Sequence, residues 1–183
     1  MKNYLGRFLA VAAVLVAVAS CSKEQLEVRV EYDAEWAAAY YLGTDGLGEL
    51  GNYQLAMAQG RTDEDLALIS PGAVLFLQMA APATRSITLP DGTYLGAAAC
   101  ETAFTFNYGE LQADNTVSCS YVGIRPGGSK PMPYYPIGEG EAGIASGRDG
   151  GYEISVRVRA ENRVFVFTYG GPIETFDCTG PEL

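Results

Sequence analysis

The sequence predicts an all-β protein, an antiparallel β-sandwich with a closed β-barrel as the alternative, and three observations carry that reading. Segments such as Tyr152 to Arg159 alternate apolar and polar residues with the period of two that marks a half-buried strand. Turn-forming Gly, Pro, Asn and Asp recur at roughly 8–12-residue intervals, the spacing of short strands in sandwiches and barrels. Helical periodicity is almost absent. With 183 residues the chain is one domain plus a leader. At 48% hydrophobic and 19% charged it has a folding rather than a disordered composition.

Composition also excludes chemistry. The chain has no histidine, which removes Ser-His-Asp triads, Cys-His dyads, imidazole zinc sites and HExxH metalloproteases. Its 22 acidic and 12 basic side chains give a net charge of −10, which argues against nucleic acid as a partner.

The elements follow in chain order. Residues 1–20 read as a cleaved secretory signal peptide. Lys2 and Arg7 supply a basic start, and Phe8 to Val18 (FLAVAAVLVAV) is an apolar run too short for a spanning helix, which needs about 20 residues. Val18-Ala19-Ser20-Cys21 resembles the lipobox of bacterial lipoproteins. That resemblance implies a diacylated Cys21 that becomes the first residue of the mature protein and is acylated on its amine as well. Two or more acyl chains hold a protein stably on a membrane without spanning it. Ser22 stands where an inner-membrane retention aspartate sits in that family, which implies the outer membrane. Ser22-Lys23-Glu24-Gln25 faintly resembles the surface-export tags of Bacteroidales-type lipoproteins, with one acid where several are usual, so a periplasmic or surface-facing domain stays open.

After a short tether, 21–25, one domain is expected over 26–183. Leu26 to Tyr32 alternates cleanly as a strand. Asp33 to Tyr41 is ambiguous, since its alanines suit a helix while Trp36 and the Tyr40-Tyr41 pair suit a strand. Residues 44–52 read as loop, and Tyr53 to Ala58 as a strand with Tyr53, Leu55 and Met57 packed. Arg61 to Asp65 reads as a solvated loop, and Val74 to Ala81 is apolar on both faces. Strands at 86–89 and 93–98 flank Pro90-Asp91-Gly92, a turn in which Gly92 is expected to supply a positive φ. Phe104–Phe106 and Val117–Ile124 are further strands. Pro126 to Pro136 (PGGSKPMPYYP) is too rich in proline for interior strand. Tyr152 to Arg159 and Val164 to Tyr169, joined by residues 160–163, form a C-terminal hairpin.

Cys100, Cys119 and Cys178 fall in the folded part. An exported compartment permits disulfides, and three cysteines allow one bridge. Cys100–Cys119 would close a short loop worth about 3 kcal/mol. Cys178 is the alternative partner of either, and three unbonded thiols are the plain reading. No histidine is present to form a catalytic thiolate, and the spacings fit no metal pattern.

Two aromatic features are candidate binding sites. Trp36 with Tyr40-Tyr41 offers a platform for a sugar face, weighed against core packing. Tyr134 and Tyr135 sit in a proline-stiffened loop suited to recognition, weighed against a loop folded over a sheet edge. Carboxylates cluster at Asp63-Glu64-Asp65 and Glu139-Gly140-Glu141, where both groups read as solvated loop charges. No phosphate loop, EF-hand or cofactor motif occurs.

Three further segments together resemble a domain of small Bacteroidales-type envelope lipoproteins. They are Ala38-Ala39-Tyr40-Tyr41-Leu42-Gly43 leading to Gly51-Asn52-Tyr53-Gln54-Leu55, then Leu89-Pro90-Asp91-Gly92-Thr93-Tyr94, and Ser146-Gly147 through Tyr152-Glu153-Ile154 to Tyr169-Gly170-Gly171-Pro172-Ile173. The resemblance implies a β-sandwich-like lipoprotein domain and carries over no catalytic residue. The expected function is a lipid-anchored envelope module that binds glycan or protein, or scaffolds, without catalysis or cofactor. A carboxylate-based glycosidase, or a small-ligand carrier if the fold is a barrel, are the alternatives.

Overall fold

A computed structural model describes residues 27–44, 49–63, 67–84, 87–127, 132–147 and 149–179. Residues 1–20, read from the sequence as a signal peptide, and Cys21 lie outside the described residues. The strands in chain order are β1 (Val28–Asp33), β2 (Trp36–Thr44), β3 (Leu50–Gln59), β4 (Gly72–Pro82), β5 (Gly92–Ala97), β6 (Thr105–Asn107) and β7 (Glu110–Leu111). They continue as β8 (Val117–Ser118), β9 (Tyr121–Arg125), β10 (Tyr134–Pro136), β11 (Glu139–Ser146), β12 (Tyr152–Ala160), β13 (Arg163–Gly171) and β14 (Glu174–Asp177).

All but β7 and β8 join one sheet, ordered β1-β13-β12-β11-β5-β6-β4-β3-β2-β14, with β9 also on β4 and β10 on β9. The protein is all-β, and this sheet is curled and open, a half-barrel. Most pairs are antiparallel as expected, but β1–β13, β5–β6 and β2–β14 are parallel. The chain turns a corner between β1 and β2. Ala34 donates its N–H to Thr168 O at 2.8 Å, and the next residue, Glu35, donates to Ala58 O at 2.7 Å. Adjacent residues thus hydrogen-bond to β13 and β3, which stand toward opposite ends of the sheet order and which the curl brings near each other.

The concave side is filled. Tyr53, Leu55, Met57, Leu75, Leu77, Met79, Phe106, Val156, Phe165 and Phe167 form one buried cluster. Burying each large side chain is worth about 1.5–3 kcal/mol, so this cluster is the main stabiliser. Inward alanines at 37, 39, 73 and 142 give the wall room to curl.

The C-terminal hairpin forms as predicted, with register Ala160↔Arg163 through Tyr152↔Gly171. The ambiguous 33–41 segment resolves as strand, and β3 begins at Leu50, inside the expected loop. Residues 87–89 carry no strand. Instead Leu89 is buried, and Tyr94 and Tyr152 donate their hydroxyls to Pro90 O at 2.8 Å and Leu89 O at 3.2 Å, strapping this segment across the core.

Gly92 is not among the glycines with positive φ, contrary to the turn reading. It is glycine because the Phe104 ring occupies the space a Cβ would need, 2.5 Å away. Phe104 itself has φ 59° and lies outside β6. The expected 117–124 strand breaks at Cys119, φ 62°, into β8 and β9. Residues 139–141, read as loop charges, open β11, a central strand.

Candidate functional site

Neighbouring Tyr134 and Tyr135 point to opposite faces of β10, as period-two geometry requires. Tyr135 pairs with buried Val122 and faces inward. Its ring lies 5.8 Å from that of Phe165, and its hydroxyl accepts from Arg163 Nη1 at 3.0 Å while the same guanidinium sits 5.0 Å over the ring. Tyr135 is therefore an anchor for the loop, not a recognition residue. Tyr134 faces outward and is 42% exposed.

The register joins Tyr134 to Trp36. Trp36, Ala58, Val74, Gly123 and Tyr134 are consecutive cross-strand partners over β2, β3, β4, β9 and β10. They form one outward row about 19 Å long at roughly 4.8 Å per strand. Its middle is covered: Leu68 is fully buried with Ala58 and Val74, and Trp36 and Met132 pack on that cluster. Arg125 Nη1 donates to Leu68 O at 2.5 Å and fixes the covering loop. Trp36 thus packs, as its plain reading had it, but in an outer cluster on the convex face of the sheet.

The adjoining outward row runs Ala38, Ala56, Phe76, Tyr121, Pro136. Phe76 and Tyr121 stack at 5.5 Å, and Tyr121 meets Tyr134 edge-on at 5.4 Å. Further along, Tyr40 stacks on Phe176 at 5.0 Å. Burial pushes the Tyr121 phenol up, and the nearby Tyr134 hydroxyl adds to it. Sequence reasoning missed Phe76, Tyr121 and Phe176. The signal was present in Val74 to Ala81, whose second apolar set (Val74, Phe76, Ala80) points outward.

The opposite outer surface, over β5, β11, β12, β13 and β1, is polar. Arg159 pairs with Glu139 at 2.7 Å and with Glu27, and Arg157 lies 4.0 Å from Glu27. Three shallow, open depressions lie here, the largest about 490 Å³ and lined by Thr93, Gly143, Glu153 and Ser155 among others. Glu139 and Glu141 line one of them beside Arg157 and Arg159, on an exposed sheet surface. Of the other acidic cluster, Glu64 and Asp65 lie outside the described residues.

The three described cysteines are free thiols. Cys100 is half-buried, with Sγ 3.5 Å from Gln78 O. Burial pushes its thiol up, and the nearby Cys119 adds to this. Such a thiol is a poor nucleophile. Ser120 Oγ accepts from Gln78 N at 3.1 Å, so residues 100 and 119–120 converge where the partner of β4 changes from β9 to β6. Cys178 follows β14, and β2, β3 and β4 stand between it and the other two, so the fold does not bring it to either. Among the described residues no three His, Cys, Asp or Glu side chains gather to hold a metal ion.

Comparison with protein-family models, with curated proteins and with solved structures gives no match.

Proposed function

We propose that this protein is a lipid-anchored module of the cell envelope, held through Cys21 at the outer membrane, that binds a glycan or protein with its outward aromatic surface around Tyr134. What carries the reading is the run Phe76, Tyr121, Tyr134, three rings in successive contact on the outside of a sheet whose interior is already filled. Rings in such an arrangement stack on the apolar face of a sugar or on a peptide side chain at little entropic cost. A filled interior favours recognition on the outside over a carried ligand, and exposed, ion-paired carboxylates favour binding over glycoside hydrolysis. The corner at Ala34–Glu35 favours the barrel over the sandwich as the finer description of the fold.

An array of envelope polysaccharides and peptides, probed with the full-length protein, tests this. The wild type retains one ligand class, and Tyr134→Ala weakens retention about tenfold or more. Equal retention by the variant rejects the aromatic surface as the site, and no retention by the wild type rejects the binding module. Tyr135 is left intact, because its substitution would disturb the core contact with Phe165.

A further inference from the structure

We infer that Cys100 and Cys119 form a redox-active pair that exchanges with a disulfide-bearing oxidant and closes one bond between the β5–β6 and β8–β9 connections. Gln78 of β4 brings them together. A strand residue turns its N–H and its C=O to the same edge. At that edge Gln78 N donates to Ser120 Oγ at 3.1 Å, and Cys100 Sγ lies 3.5 Å from Gln78 O and 3.6 Å from Thr105 O. Cys119 is the residue before Ser120. Its φ of 62° carries the chain out of the alignment that β9 keeps with β4 from Gly72↔Arg125 to Phe76↔Tyr121. Two separate connections thus place the Cys100 sulfur and the Cys119 backbone beside one residue, and the Cys119 side chain is near enough to help push the Cys100 thiol up.

Both cysteines stand outside the strands, so either can shift without breaking a ladder, and both are partly exposed, so a soluble oxidant reaches them. Oxidation removes the Cys100 S–H, a weak donor whose contacts with the Gln78 and Thr105 carbonyls are easily given up. Cys178 stands beyond β14, with β2 and β3 between it and β4. The closed bond encloses β6 and the β7–β8 pair, which is hydrogen-bonded apart from the main sheet, and so pins that pair to the edge of β4.

The exchange balances in two steps. Cys119 gives its proton to water and attacks one sulfur of the oxidant, which leaves a mixed disulfide and one oxidant thiol. Cys100, whose thiol burial pushes up, is the poorer first nucleophile and acts as the resolving one. It loses its proton to water and attacks Cys119 Sγ, and the second oxidant sulfur leaves as a thiol. The two cysteines give up two electrons and two protons, and the oxidant is reduced to two thiols. The exported location in the proposed function supplies oxidants of this class, and the pairing itself does not rest on that location.

The reduced full-length protein is incubated with oxidised glutathione, its remaining thiols are alkylated, and its peptides are mapped by mass. In the wild type a linked Cys100–Cys119 peptide pair appears and alkylation of both falls together by about tenfold or more, while Cys178 carries glutathione. Cys100→Ser traps glutathione on Cys119, and Cys119→Ser leaves Cys100 open to alkylation. Glutathione held separately on Cys100 and Cys119 in the wild type, a link from either to Cys178, or alkylation of both at the level of the untreated protein overturns the pair. Closing the bond in the native fold should also raise the urea midpoint by about 1 M or more over the reduced protein. A midpoint that does not rise overturns closure within the native fold.

Discussion

Around Phe76 the outside of the sheet is a run of aromatic rings beside a row that Leu68 and Met132 cover, whereas around Arg157 it is a bare grid of ion pairs. Both surfaces come from strands whose inner residues enter the same core. On the first, Leu68 and Met132 reach over the sheet and Ala38, Ala56 and Ala58 are fully buried although they point outward. On the second, Arg29 pairs with Glu31 at 2.7 Å and Arg159 with Glu139, all of them substantially exposed. Burial of apolar area is worth far more than exposed ion pairing. The aromatic surface is thus a second small core that also presents rings, and the charged surface adds little to stability.

The largest effect should come from removing the cover. Leu68→Ala is expected to cost about 2–4 kcal/mol, as for other fully buried leucines, and to shift Trp36 emission to the red. Urea unfolding measures the first and fluorescence the second. A loss below about 0.5 kcal/mol would mean that the outer cluster contributes no stability.

Alkaline titration probes the same surface with a smaller effect. The Tyr121 phenol is raised above its ordinary value of 10.0 by burial, as are Tyr53 and Tyr94 in the core. The folded state therefore holds these protons more tightly than the unfolded state. Their contribution is complete below pH 10 and is lost as pH rises through the folded values. Tyr121→Phe removes one such group and should move the alkaline unfolding midpoint upward, followed by tyrosinate absorbance. An unmoved midpoint would show that Tyr121 ionises freely while folded.

The contrast was half legible in the sequence. Clean alternation at 28–32 and 152–159 predicted both inner and outer residues of the charged surface, because one face of each strand is apolar and the other charged. Doubly apolar segments such as 74–81 gave the strand but not the reason for its outer apolar set. What covers Val74 is Leu68, from the connection just before β4 that folds back over the sheet, and local periodicity carries no information about loops that fold back. β11 was hidden because two of its three inward positions, Gly140 and Ala142, are too small to mark a strand and leave Ile144 as the lone signal. Gly140, at φ 149°, is obligatory there, since a Cβ would lie 2.4 Å from Arg157 O. The candidate pair Tyr134 and Tyr135 was found as a unit, and only the register shows that one serves the surface and the other the core.

The smallest predicted effect belongs to the charged surface. Arg159→Ala removes the pairs with Glu27 and Glu139, whose side chains are 39% and 57% exposed, and should cost about 0.5–1 kcal/mol at low salt. Two components contribute, and they can be separated. Val164 points outward between Arg159 and Arg29 and yet is only 2% exposed, so the arginine stems cover it. Arg159→Met keeps a stem over Val164 and loses only the charge, so its penalty should fade toward zero near about 0.5 M salt, where screening is nearly complete. Arg159→Ala should keep a residual penalty at that salt, because Val164 stays uncovered. Equal, fully screened penalties for the two variants would make this surface purely electrostatic. A Met variant as costly as Ala at high salt would instead give Arg159 a packing role that a thioether cannot fill, and the two outer surfaces would then differ in degree and not in kind.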